Sequence, residues 1–203
     1  MRIGIDFDNT IAGYDAVFPA AARELELIPE DFEGGKREIR TAVRGQRDGE
    51  EKWRRLQGQV YGKYMDGAEL IAGVDHFLMA CCGRKESVFI ISHKTEFGHH
   101  DPDRINLREK AKAWMSDRGF FDTKGFAIPP ENVTFEDTRA KKIARIKALE
   151  CSHFIDDLPE VFVEEGFPQG VRGFLLGPGG VKPGAPFKAF DAWDQITEEI
   201  LGS

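Results

Sequence analysis

The chain has 203 residues, and its 35 acidic against 28 basic side chains give a net charge of −7; that is length for one α/β domain with a modest insertion and a substantial core. Net negative charge argues against nucleic acid as the main partner, since sequence-independent binding rests on neutralising phosphates, and no apolar stretch approaches the length of a membrane span. Acids at positions 6 and 8 exclude a secretory apolar core there, and three cysteines, two adjacent at Cys81 and Cys82, read as buried thiols of a cytoplasmic protein rather than as a disulfide framework.

The first predicted element is an apolar strand beginning at Arg2, and it ends abruptly in Asp6 and Asp8. A buried strand has no structural use for carboxylates at its carboxyl end, which is where open α/β sheets place their ligands. Asp8-Asn9-Thr10 could alternatively be turn and cap residues. Residues 14–74 read as helical, with Ala16 to Leu25 alanine-rich, a break at Ile28-Pro29-Glu30, and a second helix from Glu50 to Met65. Arg40, Arg44, Arg47, Lys52, Arg54, Arg55 and Lys63 lie in this stretch and fit solvated helix faces. Val74 to Cys82 is a helix leading into a buried strand, Ser87 to Ser92, whose end is a hydroxyl.

The loop from His93 to Asp103 follows that strand end. Its histidines and aspartates match no metal-ligand spacing, and Lys94, with His93, is expected near a phosphate. Leu107 to Asp117 is a helix with Ala111, Trp114 and Met115 inward, and Pro129-Pro130 marks a turn before the short strand Val133 to Phe135. Glu136-Asp137-Thr138 leads into a helix carrying Arg139, Lys141 and Lys142. His153 to Ile155 is the next strand, ended by Asp156 and Asp157. Gly170 to Leu176 reads as a further strand, Gly177 to Pro186 as a loop, and Ala189 to Leu201 as a closing helix. The Gly179-Gly180 pair is not a phosphate-binding P-loop, because no Lys-Ser pair follows it.

Two acid pairs at the ends of two strands repel unless a cation neutralises them or one acid stays protonated. Hard oxygen ligands at that density suit Mg2+, which takes one or two carboxylates with water and substrate phosphate. Zinc is disfavoured because no Cys/His ligand spacing accompanies the acids.

The order of acid pair, strand-end Ser, helix-start Lys and acid pair resembles the haloacid dehalogenase-like (HAD) hydrolase superfamily. Asp6, Asp8 and Thr10 match its D-x-D-x-T motif, Ser92 its second motif, Lys142 or Lys141 its third, and Asp156 with Asp157 its fourth. Lys142, Ile146 and Leu149 fall along one helical face, so Lys142 is the expected phosphate-binding lysine. The resemblance implies a Rossmann-like three-layer α/β core with a parallel sheet, at residues 1–13 and 75–203. It also implies a small helical cap of the C1 type, at residues 14–74, inserted after the first strand.

It further implies that Asp6 is the nucleophile, Asp8 the general acid and base, and Ser92 with Lys142 the phosphoryl holders. Mg2+ would be bound by Asp6, the backbone carbonyl of Asp8 and Asp156, with Asp157 in support. An acid two residues after the nucleophile disfavours dehalogenation. The expected activity is hydrolysis of a small phosphorylated metabolite, a sugar phosphate or a nucleotide. Phosphoryl transfer through the same aspartyl-phosphate is the alternative, and non-catalytic phosphate or nucleotide binding a more distant one. No feature sets an oligomeric state.

Overall fold

A computed structural model describes residues 1–98, 103–177 and 184–202. In chain order the elements are β1 (Arg2–Ile5), β2 (Ala12–Gly13), α1 (Val17–Glu24), α2 (Lys36–Arg44), α3 (Gly49–Tyr61), β3 (Glu69–Leu70), α4 (Val74–Gly83) and β4 (Ser87–His93). They continue with α5 (Leu107–Asp117), β5 (Val133–Glu136), α6 (Arg139–Ala148), β6 (His153–Asp156), α7 (Pro159–Val163), β7 (Arg172–Leu176), β8 (Phe187–Phe190) and α8 (Trp193–Leu201). The chain divides into two compact units: Met1–Ala12, Leu70–Lys94 and Arg118–Ser203 form one, and Gly13–Glu69 with Thr95–Asp117 the other.

The first unit is built on a six-stranded sheet in the order β5-β4-β1-β6-β7-β8, with every neighbouring pair parallel. All-parallel strands are buried on both faces and so read as near-continuous apolar runs; Ile3, Ile5, Ile90, Ile91, Phe154 and Ile155 have no exposed surface. Phe89, Ile91 and Phe154 form one core with Ile146 of α6 and Val161 and Phe162 of α7. On the other layer α4 and α8 pack together, with the Phe77 and Trp193 rings 5.0 Å apart.

Gly4 is required in β1 by close approach: a Cβ there would lie 2.6 Å from the Phe154 ring. From β1 the chain builds outward through β4 and β5, then crosses back to add β6, β7 and β8 on the other side. The strand order therefore reverses at β1, and the carboxyl ends beside such a reversal are where this class of sheet opens a crevice.

The expected closing helix at Ala189 to Leu201 starts later than its composition suggests. Phe187 to Phe190 instead forms a sixth strand, paired with β7 in the register Gly173↔Phe187. The two phenylalanines at its ends and the alternation between them suit an edge strand, and the helix begins only at Trp193.

The second unit is helical. Phe18 of α1 stacks on Trp53 of α3 at 5.5 Å, and Tyr14 meets Tyr61 edge-on at 4.9 Å. Trp114 of α5 donates its ring N–H to the Ala68 carbonyl at 2.9 Å. Residues 95–117, which the sequence places beside the sheet, belong to this unit. The helix α2 carries no run of strong apolar residues, but Ile39 and Val43 are fully buried, and Glu38 accepts from the Gly35 N–H at 3.0 Å to close its first turn.

His153 opens β6 with its ring buried. Its Nδ1 lies 2.9 Å from Ser152 Oγ, the Arg172 guanidinium faces Nε2 at 3.5 Å, and the ring stacks on Phe174 at 5.7 Å. Burial, with the Arg172 charge nearby, lowers its pKa from the ordinary 6.5. Below about pH 6.5 the unfolded chain therefore takes up a proton that the folded chain refuses, so stability falls as the pH drops from there toward the depressed folded value. Denaturant unfolding between about pH 7.5 and about pH 5 is expected to show that slope, and His153→Gln to flatten it.

Candidate active site

The site residues stand at the carboxyl ends of three adjacent strands. Asp6 follows β1 directly, and its N–H continues the sheet by donating to the Ile155 carbonyl at 2.9 Å. Ile5 pairs with Ile155, so Asp156 stands level with Asp6. Ile5 also pairs with Ile90, which sets Ser92 level with Phe7, between the two acids of the first pair. Ser92 is 1% exposed and Asp156 wholly buried.

After Asp8 the chain turns sharply. Asn9 adopts a left-handed φ of 58°, a conformation asparagine tolerates better than most residues, and the Ile11 and Ala12 N–H groups both donate to the Phe7 carbonyl. Asn9 is thus a turn residue, while the Asp8 carboxylate faces a lysine. Thr10 is fully buried: its carbonyl accepts from the Trp193 ring N–H at 2.9 Å, and its hydroxyl has no hydrogen-bond partner among the described residues.

Lys142 arrives from α6. Thr138 caps that helix, its hydroxyl accepting from the Lys141 N–H at 3.2 Å, and this fixes the rotation of the first turn. Lys142 points into the protein and its Nζ lies 2.5 Å from Asp6 Oδ1 and 2.6 Å from Asp156 Oδ2. Lys141 turns outward and pairs with Asp137 at 3.1 Å. The remaining Asp156 oxygen accepts from the Leu158 N–H at 2.9 Å. Asp157 completes the group: one carboxylate oxygen from each of Asp6, Asp156 and Asp157 lies within 4.8 Å of the others.

The electrostatics follow from this crowding. Burial pushes the Asp6 carboxyl up, the Lys142 ammonium pulls it down, Asp156 and Asp157 push it up again, and the balance lies at about 8. Burial also opposes the charge on Lys142, but Asp6 and Asp156 outweigh it and hold the lysine above its usual range. An octahedral Mg2+ with oxygens at 2.0–2.1 Å needs ligand oxygens about 2.9 Å apart at right angles and about 4.2 Å apart when opposed. The three carboxylates are hard oxygen donors gathered within 4.8 Å of one another, a set that fits such an ion.

Lys94, which the sequence leads one to expect beside a phosphate, has its ammonium on Asp8. Its Nζ lies 3.0 Å from Asp8 Oδ1 and 2.8 Å from Oδ2. The signal was the spacing: residues two apart on an extended strand share a face, so Lys94 follows Ser92 just as Asp8 follows Asp6. His93 points the other way, exposed, with Nε2 2.9 Å from the Asp137 carbonyl. His99, His100, Asp101 and the Gly179-Gly180 pair lie outside the described residues.

The other groups of chemical interest are accounted for by packing. Burial raises the Cys81 thiol to about 12 and the Cys151 thiol to about 11, which makes both poor nucleophiles. In the helical unit Arg44 and Arg54 pair with Glu50, and Lys63 with Glu24, as surface charges do. No helix of the described residues is long and apolar enough to cross a membrane.

No protein-family model matches the sequence, and no curated protein matches it either. Solved structures do share its fold. A HAD family hydrolase from Deinococcus radiodurans R1, solved with bound phosphate and sodium, is 14% identical with a TM-score of 0.61, over 98% of this chain and 94% of that one. A HAD-superfamily hydrolase from Ehrlichia chaffeensis is 12% identical with a TM-score of 0.57, over 98% and 95%. A predicted phosphatase from Clostridium acetobutylicum is 11% identical with a TM-score of 0.56, over 100% and 98%. The chain has the fold of the HAD-superfamily hydrolases, along nearly its whole length.

Proposed function

We propose that the protein is a Mg2+-dependent phosphomonoesterase that acts on a small phosphorylated metabolite, a sugar phosphate or a nucleotide, through an aspartyl-phosphate on Asp6. The observation that carries this reading is the group at the reversal of the sheet: buried Asp6, Asp156 and Lys142, with half-buried Asp157 beside them. Burying two carboxylates and an ammonium beside a third carboxylate costs more than a structural role repays, whereas the arrangement, with a cation bound, suits a dianionic phosphoryl group. The phosphate bound to the Deinococcus radiodurans neighbour supports the same chemistry.

In this mechanism Asp6 attacks phosphorus and Asp8 gives a proton to the departing oxygen. Asp8 then takes a proton from the water that hydrolyses the acyl phosphate, which returns both carboxyl groups to their starting state. Ser92 and Lys142 hold the phosphoryl oxygens, where positioning and charge neutralisation do most of the catalytic work. Asp6, Asp156, Asp157 and the Asp8 carbonyl would hold Mg2+, which when bound favours the ionised form of Asp6 and offsets its repulsion from an anionic substrate. The helical insertion at residues 14–74, which lies between Asp8 and Ser92 in the chain, is assigned the selection of substrate, with the sheet unit serving the chemistry.

The test is phosphate release from a panel of sugar phosphates, nucleotides and small phosphorylated acids, with Mg2+ and with chelator. Mg2+-dependent release from one substrate class is the expected result. Silence across the panel from a folded, Mg2+-binding protein would move the assignment to phosphoryl transfer or to binding.

Mg2+ binding has a second readout, since a ligand that binds only the folded state stabilises it, by about 2.7 kcal/mol at a hundredfold excess over Kd, and so raises the melting temperature. That shift is expected in the wild type and strongly reduced in Asp156→Asn. Equal shifts in the two proteins would remove Asp156 from the ion's ligands.

A further inference from the structure

Lys94 lies outside the motif residues, yet the fold buries its ammonium as deeply as that of Lys142: both side chains are 2% exposed. A lysine is rarely interred without a task for its charge. Its backbone N–H donates to the Glu136 carbonyl at 3.1 Å, one residue beyond β4, so its main chain is held by the sheet. Its Nζ sits 5.6 Å from the Phe7 ring centroid and contacts both oxygens of Asp8, at 3.0 and 2.8 Å. The two buried lysines thus divide the acids between them: Lys142 takes Asp6 and Asp156, and Lys94 takes Asp8.

The Asp8 side chain is 17% exposed against 2% for Lys94, so Asp8 is the member of the pair that an incoming molecule meets. A carboxyl group gripped at both oxygens has its plane fixed, and a general acid must be aimed at the atom it protonates. We propose that Lys94 is a positioning residue for Asp8, orienting its carboxyl group toward the departing oxygen without itself holding the substrate phosphate; this rests on the phosphomonoesterase reading. In the step concerned, a bond forms between an Asp6 oxygen and phosphorus while the bond from phosphorus to the ester oxygen breaks. The Asp8 proton passes to that oxygen, so the alcohol leaves neutral.

This role separates from phosphate binding by leaving group. An alkyl phosphate needs the proton, whereas 2,4-dinitrophenyl phosphate releases a stable anion without it. The value of kcat/KM reports events only up to the first irreversible step, so hydrolysis of the acyl phosphate does not mask the difference.

In Lys94→Met, kcat/KM for the alkyl ester is expected to fall about 30- to 100-fold, up to the lower end of the roughly 10²- to 10⁴-fold that general acid catalysis contributes, and that for the dinitrophenyl ester by less than about threefold. In an Asp8→Asn background the same substitution is expected to cost less than about threefold with either ester. Lys94→Gln, which keeps an N–H donor, is expected to lie between wild type and Lys94→Met, and serves if the methionine variant does not fold. Equal loss with both esters would make Lys94 a phosphate-binding residue and overturn the proposal, as would no loss with either. A wild-type protein that cleaves neither these esters nor any member of the substrate panel overturns the phosphatase reading, and this inference with it.

Discussion

Asp6→Asn is expected to lower turnover by on the order of 10⁴-fold or more while leaving the fold intact. The change removes the attacking oxygen at nearly constant volume. It does not remove a charge on which folding depends: burial already raises the Asp6 carboxyl to about 8, so near neutrality the folded protein gains little from its ionisation. Lys142 keeps Asp156 as a partner at 2.6 Å. The thermal midpoint is therefore expected to stay within a few degrees of wild type, corresponding to about 1 kcal/mol or less. Phosphate release and a melting curve on the same preparation check both halves. Normal turnover in the variant would remove Asp6 from the chemistry.

Lys142→Met is expected to have the largest effect on stability, because it leaves Asp6, Asp156 and Asp157 grouped without their ammonium. Removing one partner of a buried ion pair costs about 3–5 kcal/mol, since the remaining charge stays interred and unpaired. Turnover is expected to vanish as well, because the phosphoryl group loses its cationic partner. Mg2+ should restore part of the lost stability by supplying positive charge to the same carboxylates, so the rise in melting temperature with Mg2+ should exceed that of wild type. Lys141→Met is the control: its exposed pair with Asp137 at 3.1 Å belongs to the class worth about 0–1 kcal/mol. A Lys142→Met protein as stable as Lys141→Met would contradict the electrostatic account of the site.

Much of the sheet is legible along the chain because parallel strands buried on both faces must be apolar throughout. Ser87 to Ser92 and His153 to Asp156 announce themselves in that way, and the hydroxyl that ends the first and the acids that end the second mark the carboxyl edge. Phe187 to Phe190 does not, because an edge strand needs apolar residues on part of its surface only, and its alanine reads equally well as the start of the helix that follows.

The helical unit is harder to read for a related reason. Its α2 buries only Ile39 and Val43 among charged neighbours, and α5 joins it by packing contacts that no local pattern encodes. Within the site, strand ends and helical periodicity bring Asp6, Asp156 and Lys142 to one place, since both periods are local properties of the chain. The partner of Lys94 is different. That it meets Asp8 rather than open space depends on the register of β4 against β1, a long-range property set by the packing of the sheet.

The central claim is that phosphorus becomes bonded to Asp6, and the most direct measurement is rapid acid quenching of the enzyme with a labelled phosphoester from the class it cleaves. The account predicts a labelled protein that forms before free phosphate appears, loses its label to hydroxylamine as acyl phosphates do, and carries the label on the peptide containing Asp6. The Asp6→Asn protein should carry none. Rapid release of phosphate with no labelled protein at any time, or label retained in Asp6→Asn, would contradict it.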